Sequence, residues 1–248
     1  MDVKLIAHTQ LPYDALSLGT GEDDYKDGIF IDPVKNWMLG DMELDPDATD
    51  MDTLAEYAGR GCYLSFNKPN ESTRANKDYL ANIIKQGHFN VMRHGSFTLY
   101  VTGVSRSLSH QLVTHTFLET SQESQRYVNQ ESSSYVVPPV SRDNEGELDL
   151  LREAWEAAQE LYTEYLERLE KRGITGKKAT QAARSVLPNM TATSFTVSSN
   201  LQGWRSFLQQ RLSPAADAEI QEFARRVLVI AKEVAPACFQ DFEVPNVG

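Results

Sequence analysis

Long apolar runs are missing from this sequence. Nowhere do about 18 hydrophobic residues follow one another, so no membrane-spanning helix is expected. Cysteine is scarce, with two in 248 residues. Cys62 and Cys238 lie far apart and lack the spacing of a ligand set, which argues against a disulfide framework or a metal centre and for a reduced, cytoplasmic protein. Basic charge is also short: 24 Lys and Arg against 35 Asp and Glu leave a formal charge of −11. That balance argues against a nucleic-acid polymer as partner, although a local arginine cluster can still hold an anionic mononucleotide. Internal repeats and low-complexity tracts are absent, and the opening MDVKLIAHTQ lacks the basic-then-apolar layout of a secretory signal.

What is present suits one globular domain over 1–248, with 41% hydrophobic residues to build its core. Residues 3–9 read as a first strand. Positions 14–50 hold much of the acid, from Glu22, Asp23 and Asp24 through Asp45, Asp47 and Asp50. Gly and Pro interrupt this stretch, so an irregular surface insertion is expected. It lacks the glycine and glutamate positions of a calcium loop, and solvated acid is the better reading. Helices are predicted over Asp52–Tyr63 and Ala75–Gln86, the second closed by Gly87. Ser96–Thr102 alternates Phe97, Leu99 and Val101 with polar neighbours, as a half-buried strand does. A helix follows over Val104–Phe117. Glu147–Arg172 is the longest, with an apolar stripe of Leu148, Leu151, Ala154, Ala158, Leu161, Tyr165, Leu166 and Leu169, ended by Gly173. Lys177–Leu187 reads as a helix closed by Pro188, Thr193–Ser199 as a strand, and Leu201–Leu212 as a helix. The last helix is expected over Pro214–Val234, with proline at its start. The sum is an α+β domain with a central antiparallel or mixed sheet and long helices.

One stretch has no apolar face. Ser121-Gln122-Glu123-Ser124-Gln125-Arg126-Tyr127 follows directly on the predicted helix that contains Gln111. A polar loop at such a place can bind a small anion: Arg126 offers a bidentate fork, and Ser124 with the loop amides offers further donors. On the residues alone, an ordinary solvated loop fits equally well.

The stretch resembles the signature RHRxxSxNExSxRY of flavin-dependent thymidylate synthases, which reads THTFLETSQESQRY here, from Thr114 to Tyr127. The closing SxRY matches as Ser124, Arg126 and Tyr127. The Asn-Glu pair becomes Ser121-Gln122, both arginines become Thr114 and Thr116, and the first serine becomes Glu119. Further segments similar to the family are AGRGCYLSFNKPN (58–70), GHFNVMRHGSFTLYVTGVSRSLSHQL (87–112), QAARSVLPN (181–189), SNLQGWRSFLQQR (199–211) and FQDFEV (239–244).

The resemblance implies a homotetramer with active sites built from several chains. It also implies a pyrimidine nucleotide held by Gln111, by Gln122, Glu123, Ser124, Gln125 and Arg126, and by Arg184 and Arg211. Arg126 and Arg184 would meet the 5′-phosphate, and Arg211 the pyrimidine carbonyl edge. For the flavin and folate side it implies His88, Asn90, His115 and Asn200. Arg93 is new, standing where the family has a glutamate beside His94, and Ser206 occupies another flavin-side position. Three flavin-side arginines are replaced, by Thr114, Thr116 and Gln202. Each lost charge-assisted contact to the FAD diphosphate costs on the order of 1.5–3 kcal/mol.

An intact nucleotide set beside a depleted flavin set points to one-carbon transfer without reduction. The expected reaction is hydroxymethylation at C5 of a pyrimidine deoxynucleoside monophosphate, from methylenetetrahydrofolate. Glu119 or Glu123 would be general base for the water, or an acceptor for a cytosine amino group, which tilts the substrate toward dCMP over dUMP. Ser124 is the nucleophile candidate, weak without a base that the sequence does not identify. Two alternatives stand beside this. One is an FAD- and NADPH-dependent thymidylate synthase acting on dUMP. The other is a non-catalytic nucleotide-binding paralogue.

Overall fold

The computed structural model describes residues 1–11, 45–63, 65–66 and 70–243. Most of the expected acidic insertion, 14–44, lies outside the described residues. In chain order the elements are β1 (Asp2–His8), α1 (Asp50–Gly61), α2 (Asn76–Gln86), β2 (Ser96–Ser105), α3 (Arg106–Leu112), β3 (Glu119–Gln122), α4 (Glu145–Lys171), α5 (Lys177–Ala183), β4 (Ala192–Asn200), α6 (Leu201–Arg211) and α7 (Ala218–Val234). The strands form one sheet in the order β1-β2-β4-β3. The expected α+β mixture is therefore present. Among the described residues no helix is long and apolar enough to cross a membrane, and Cys62 and Cys238 are both free.

Packing divides the chain into two compact units. The first comprises Met1–Ile6, Thr98–Ser198 and Phe207–Arg226. Here β3 runs antiparallel to β4, with Glu119 opposite Ser198 and Gln122 opposite Phe195. Alternation along β4 buries Phe195 and Val197, and Phe223 of α7 meets Phe195 edge-on at a centroid distance of 6.0 Å. The buried stripe of α4 is Trp155, Tyr162, Leu166 and Leu169. Ala154 and Leu161, which the apolar pattern placed inside, are exposed; the two large aromatic side chains take the inward positions because each removes more apolar area from water. Tyr162, Leu166 and Leu169 pack with Ala179 and Ala183 of α5. Gly173 ends α4 at φ +77°, a left-handed position that glycine adopts without steric cost.

Several boundaries differ from expectation, among them the end of the helix expected over Lys177–Leu187, which stops at Ala183, and three of the differences have a clear local reason. The predicted helix over Val104–Phe117 is only Arg106–Leu112, because β2 continues to Ser105 and Thr114 Oγ donates to the Gln111 carbonyl at 2.6 Å, taking an acceptor at the helix end. The polar loop begins as strand, with Ser121 and Gln122 paired to β4. Pro214 does not open the last helix: Asp217 Oδ1 accepts from the Glu219 amide at 3.0 Å and caps it instead. Glu219 then anchors the start of α3, accepting from the Ser105 amide at 2.8 Å and from Ser105 Oγ at 2.5 Å. Ser105 Oγ in turn accepts from the Leu108 amide at 3.0 Å, so α3 leaves the sheet in a fixed direction.

The second unit comprises Ala7–Phe97, Ser199–Ser206 and Val227–Gly248. Thr49 caps α1 through the Asp52 amide, and Gly87 closes α2 in the left-handed conformation as expected. Asp52 is fully buried and accepts from the Ala237 and Cys238 amides at 3.0 and 2.9 Å. Phe97 stacks on Trp204 at 4.8 Å. Arg205 donates to Asp241 through both terminal nitrogens, at 2.7 Å each, and to the Cys238 carbonyl at 2.5 Å. Its guanidinium also lies 4.9 Å from the ring centroids of both Phe89 and Phe242. Replacing Asp241 by alanine strands this buried cation. A stability loss of about 3 kcal/mol is expected in urea unfolding, against under about 1 kcal/mol for exposed Asp149→Ala.

Candidate functional site

The sheet of the first unit delivers one helix and one strand to a common cavity of about 570 Å³. Its wall includes Arg106, Ser109 and Gln111 of α3, Gln122 of β3, Gln125 of the following turn, and Asn189. Of the nucleotide candidates, Gln111, Gln122 and Gln125 thus share one wall. Gln122 Nε2 donates to Ser109 Oγ at 2.8 Å and to Thr193 Oγ1 at 3.1 Å, so its position is held from both sides. The Gln111 side chain has no hydrogen-bond partner among the described residues.

Arg106 was not singled out from the sequence. It opens α3, one residue after the strand ends, and donates from Nη2 to the Glu123 carbonyl at 3.1 Å. Its Nε is buried without a hydrogen-bond partner among the described residues. Burial lowers its proton affinity; Glu123 offsets that effect and the like charge of Arg184 adds to it. A desolvated guanidinium with an orphan N–H, facing a second arginine, has the chemistry of an anion site. The legible signal was the lone arginine in VSRSLSHQL, the first helical residue of a segment that buries Leu108, Ser109 and Leu112.

Arg184 sits in the turn after α5, exposed. Arg126 is exposed too, with Nε 3.2 Å from Gln181 Oε1 and its carbonyl accepting from Thr180 Oγ1 at 2.6 Å. Neither is within salt-bridge distance of a carboxylate among the described residues. Ser124 stabilises the turn: its carbonyl accepts from the Tyr127 and Val128 amides at 3.0 Å each. Lys177 lies over the Tyr127 ring at 4.3 Å and donates to its hydroxyl. That hydrogen bond and the lysine charge pull the phenol below its ordinary range.

The two carboxylate candidates lie elsewhere. Glu119 is exposed on β3, opposite Ser198. Glu123 accepts from Gln130 Nε2 at 3.2 Å and Ser194 Oγ at 3.4 Å. It lines a separate cavity of about 370 Å³ with Thr102, Asn129 and Ser132.

Arg211, at the end of α6, donates from Nε to His115 Nε2 at 2.8 Å and reaches the Gln111 carbonyl with Nη2 at 3.5 Å. The imidazole is buried against Phe117 and Phe207, with centroids at 5.5 and 5.3 Å. Burial first, and Arg211 second, hold its pKa below the usual histidine value.

The remaining flavin- and folate-side candidates belong to the second unit. His88, Asn90 and Arg93 are exposed. Asn200 Oδ1 caps α6 by accepting from the Gly203 amide at 2.9 Å. Arg93 Nε donates to Gln202 Oε1, so two departures noted separately in the sequence touch each other. No carboxylate pairs with Arg93 among the described residues, which leaves its terminal nitrogens free.

A family model described as "Thymidylate synthase complementing protein" matches residues 46–237. The chain is 44% identical over 213 residues to a flavin-dependent thymidylate synthase of Mycobacterium tuberculosis (strain ATCC 25618 / H37Rv), covering 82% of this chain and 85% of the relative. It is 41% identical over 215 residues to the enzyme of that name from Mycobacteroides abscessus, covering 84% and 86%. Against the one from Mycobacterium avium (strain 104) it is 43% identical over 213 residues, covering 82% and 85%.

Proposed function

The chain belongs to the family of flavin-dependent thymidylate synthases, and we propose that it carries out a reductive one-carbon transfer from methylenetetrahydrofolate to C5 of dUMP. The observation that carries this reading is the cavity walled by Arg106, Gln111, Gln122 and Gln125. A half-buried guanidinium beside three amides is complementary to a phosphate and a uracil, which offer an anion, carbonyl acceptors and one N–H donor. Arg184 adds positive potential at Arg106, and Arg211 stands beside Gln111.

The reductive reading replaces hydroxymethylation as the preferred one. Relatives over four-fifths of the chain carry the flavin-dependent name. The carboxylate of Glu123, wanted as base for a water or acceptor for a cytosine amino group, is engaged by Gln130 and Ser194. That supports dUMP over dCMP. A homotetramer is part of the same proposal.

Reduced flavin, when bound, supplies the hydride. Its diphosphate needs cations, and the donor set of the second unit fits that need at one point: Arg93 rests on Gln202, where the resemblance places an arginine. His88, Asn90, Arg93 and Asn200 are the residues of that unit that would hold the coenzyme or folate. At this one position the positive charge is supplied by a neighbouring side chain, while Thr114 and Thr116 leave the other two without one.

The test is direct. Purified protein is expected to show a flavin absorption band and to oxidise NADPH when given dUMP and methylenetetrahydrofolate, with a product mass equal to dTMP. Colourless protein that forms a hydroxymethyl nucleotide without consuming NADPH would overturn the proposal. Nucleotide binding with no turnover would favour the non-catalytic reading.

A further inference from the structure

We propose that His115 is the positioning residue for Arg211, and that the neutral imidazole sets Arg211 for the pyrimidine nucleotide. This deepens the dUMP reading and rests on it. The contact has one chemical solution. Arg211 Nε–H donates to His115 Nε2 at 2.8 Å, so Nε2 carries a lone pair and the ring proton sits on Nδ1. The imidazole cannot turn away, because it is buried between Phe117 and Phe207.

The groups facing it are the guanidinium of Arg211 and the Phe207 ring, both from α6, and Phe117 from its own loop; Arg211 is the charged one. An arginine is more often fixed by a carboxylate, which cancels its charge. Fixing it with a neutral acceptor keeps the full positive charge for a ligand while removing rotamer freedom before binding. Nη2 then points to the Gln111 carbonyl, beside a residue of the cavity wall.

Protonation of Nε2 sets an N–H against an N–H and releases Arg211. The pKa of His115 is depressed by burial and by Arg211, so the arrangement persists above the ordinary histidine value of about 6.5 and is lost as the pH falls through the lower value of the folded ring. Stability has the same sign. Below about pH 6.5 the unfolded chain takes up the proton first, and folding weakens on acidification.

Calorimetric titration with dUMP tests this on wild type, His115→Gln and His115→Ala between pH 8 and pH 5.5. Glutamine offers an acceptor that does not titrate. At pH 8 the alanine variant is expected to bind about tenfold more weakly, one charged-group hydrogen bond, and the glutamine variant within about threefold of wild type. The phosphate of dUMP titrates in the same range, with a pKa of about 6, so the ratio of wild type to His115→Gln carries the result. That ratio is expected to change as the pH falls, with wild type losing the more affinity. A flat ratio, or an alanine variant that binds like wild type, overturns the positioning role and leaves the dUMP reading intact. Wild type that fails to bind dUMP at pH 8 overturns the reading itself.

Discussion

Replacing Arg106 by alanine is expected to raise the dissociation constant for dUMP by about a hundredfold or more, measured by calorimetry at constant salt. Two charged-group hydrogen bonds, at roughly 1.5–3 kcal/mol each, would produce a loss of that size. The guanidinium has the spare donors for them: Nη2 is committed to the Glu123 carbonyl, while Nε is buried with no partner among the described residues. Burial and Arg184 both act against the charge, and Glu123 offsets them in part. A phosphate relieves both. Lysine at this position keeps the charge but not the fork, so Arg106→Lys is expected to fall between wild type and alanine. The Glu123 carbonyl loses its donor in the alanine variant, and a stability decrease of about 1 kcal/mol in urea unfolding is the accompanying expectation. Unchanged dUMP binding by Arg106→Ala would remove this cavity from the reaction.

The sequence made the helices and strands legible wherever period and caps agreed. Gly87 and Gly173 stop their helices in the left-handed conformation that the sequence led one to expect, and Phe97, Leu99 and Val101 alternate into the core. It misled where a side chain competed with the backbone. Thr114 takes a carbonyl from α3, and Asp217 caps α7 in place of the proline start. In the site, the segment around Gln111 and Gln122 was legible because an entirely polar run cannot build core. Arg106 was not, since one arginine between two serines reads as a surface charge until its burial is known. Glu123 was assigned a chemical role by its position in the chain, whereas the direction of its carboxylate is set by Gln130, seven residues on, and by Ser194, which is 71 positions away. The contact between Arg93 and Gln202 spans 109 positions, so two substitutions that looked like separate losses and gains could not be seen as one exchange.

That exchange makes a sharp prediction. Arg93→Glu is expected to weaken FAD binding by about a hundredfold or more, followed by flavin fluorescence. The substitution removes one charge-assisted contact and sets a carboxylate against a diphosphate. Screening by solvent reduces the effect, because Arg93 is exposed. Riboflavin has the same ring system and no phosphate, so its affinity is expected to stay within about threefold if the loss lies in the charge. The double variant R93E/Q202R restores the arrangement implied by the resemblance, with glutamate beside His94 and arginine in the Asn-x-Arg position. It is expected to recover most of the affinity, since the cation returns from position 93 to position 202 and the new glutamate gains a partner. Recovery would be non-additive, the sign of two residues acting as one unit. If R93E binds FAD as wild type does, Arg93 is an ordinary surface cation. If FAD and riboflavin are lost together, the site depends on the shape of this segment and not on its charge.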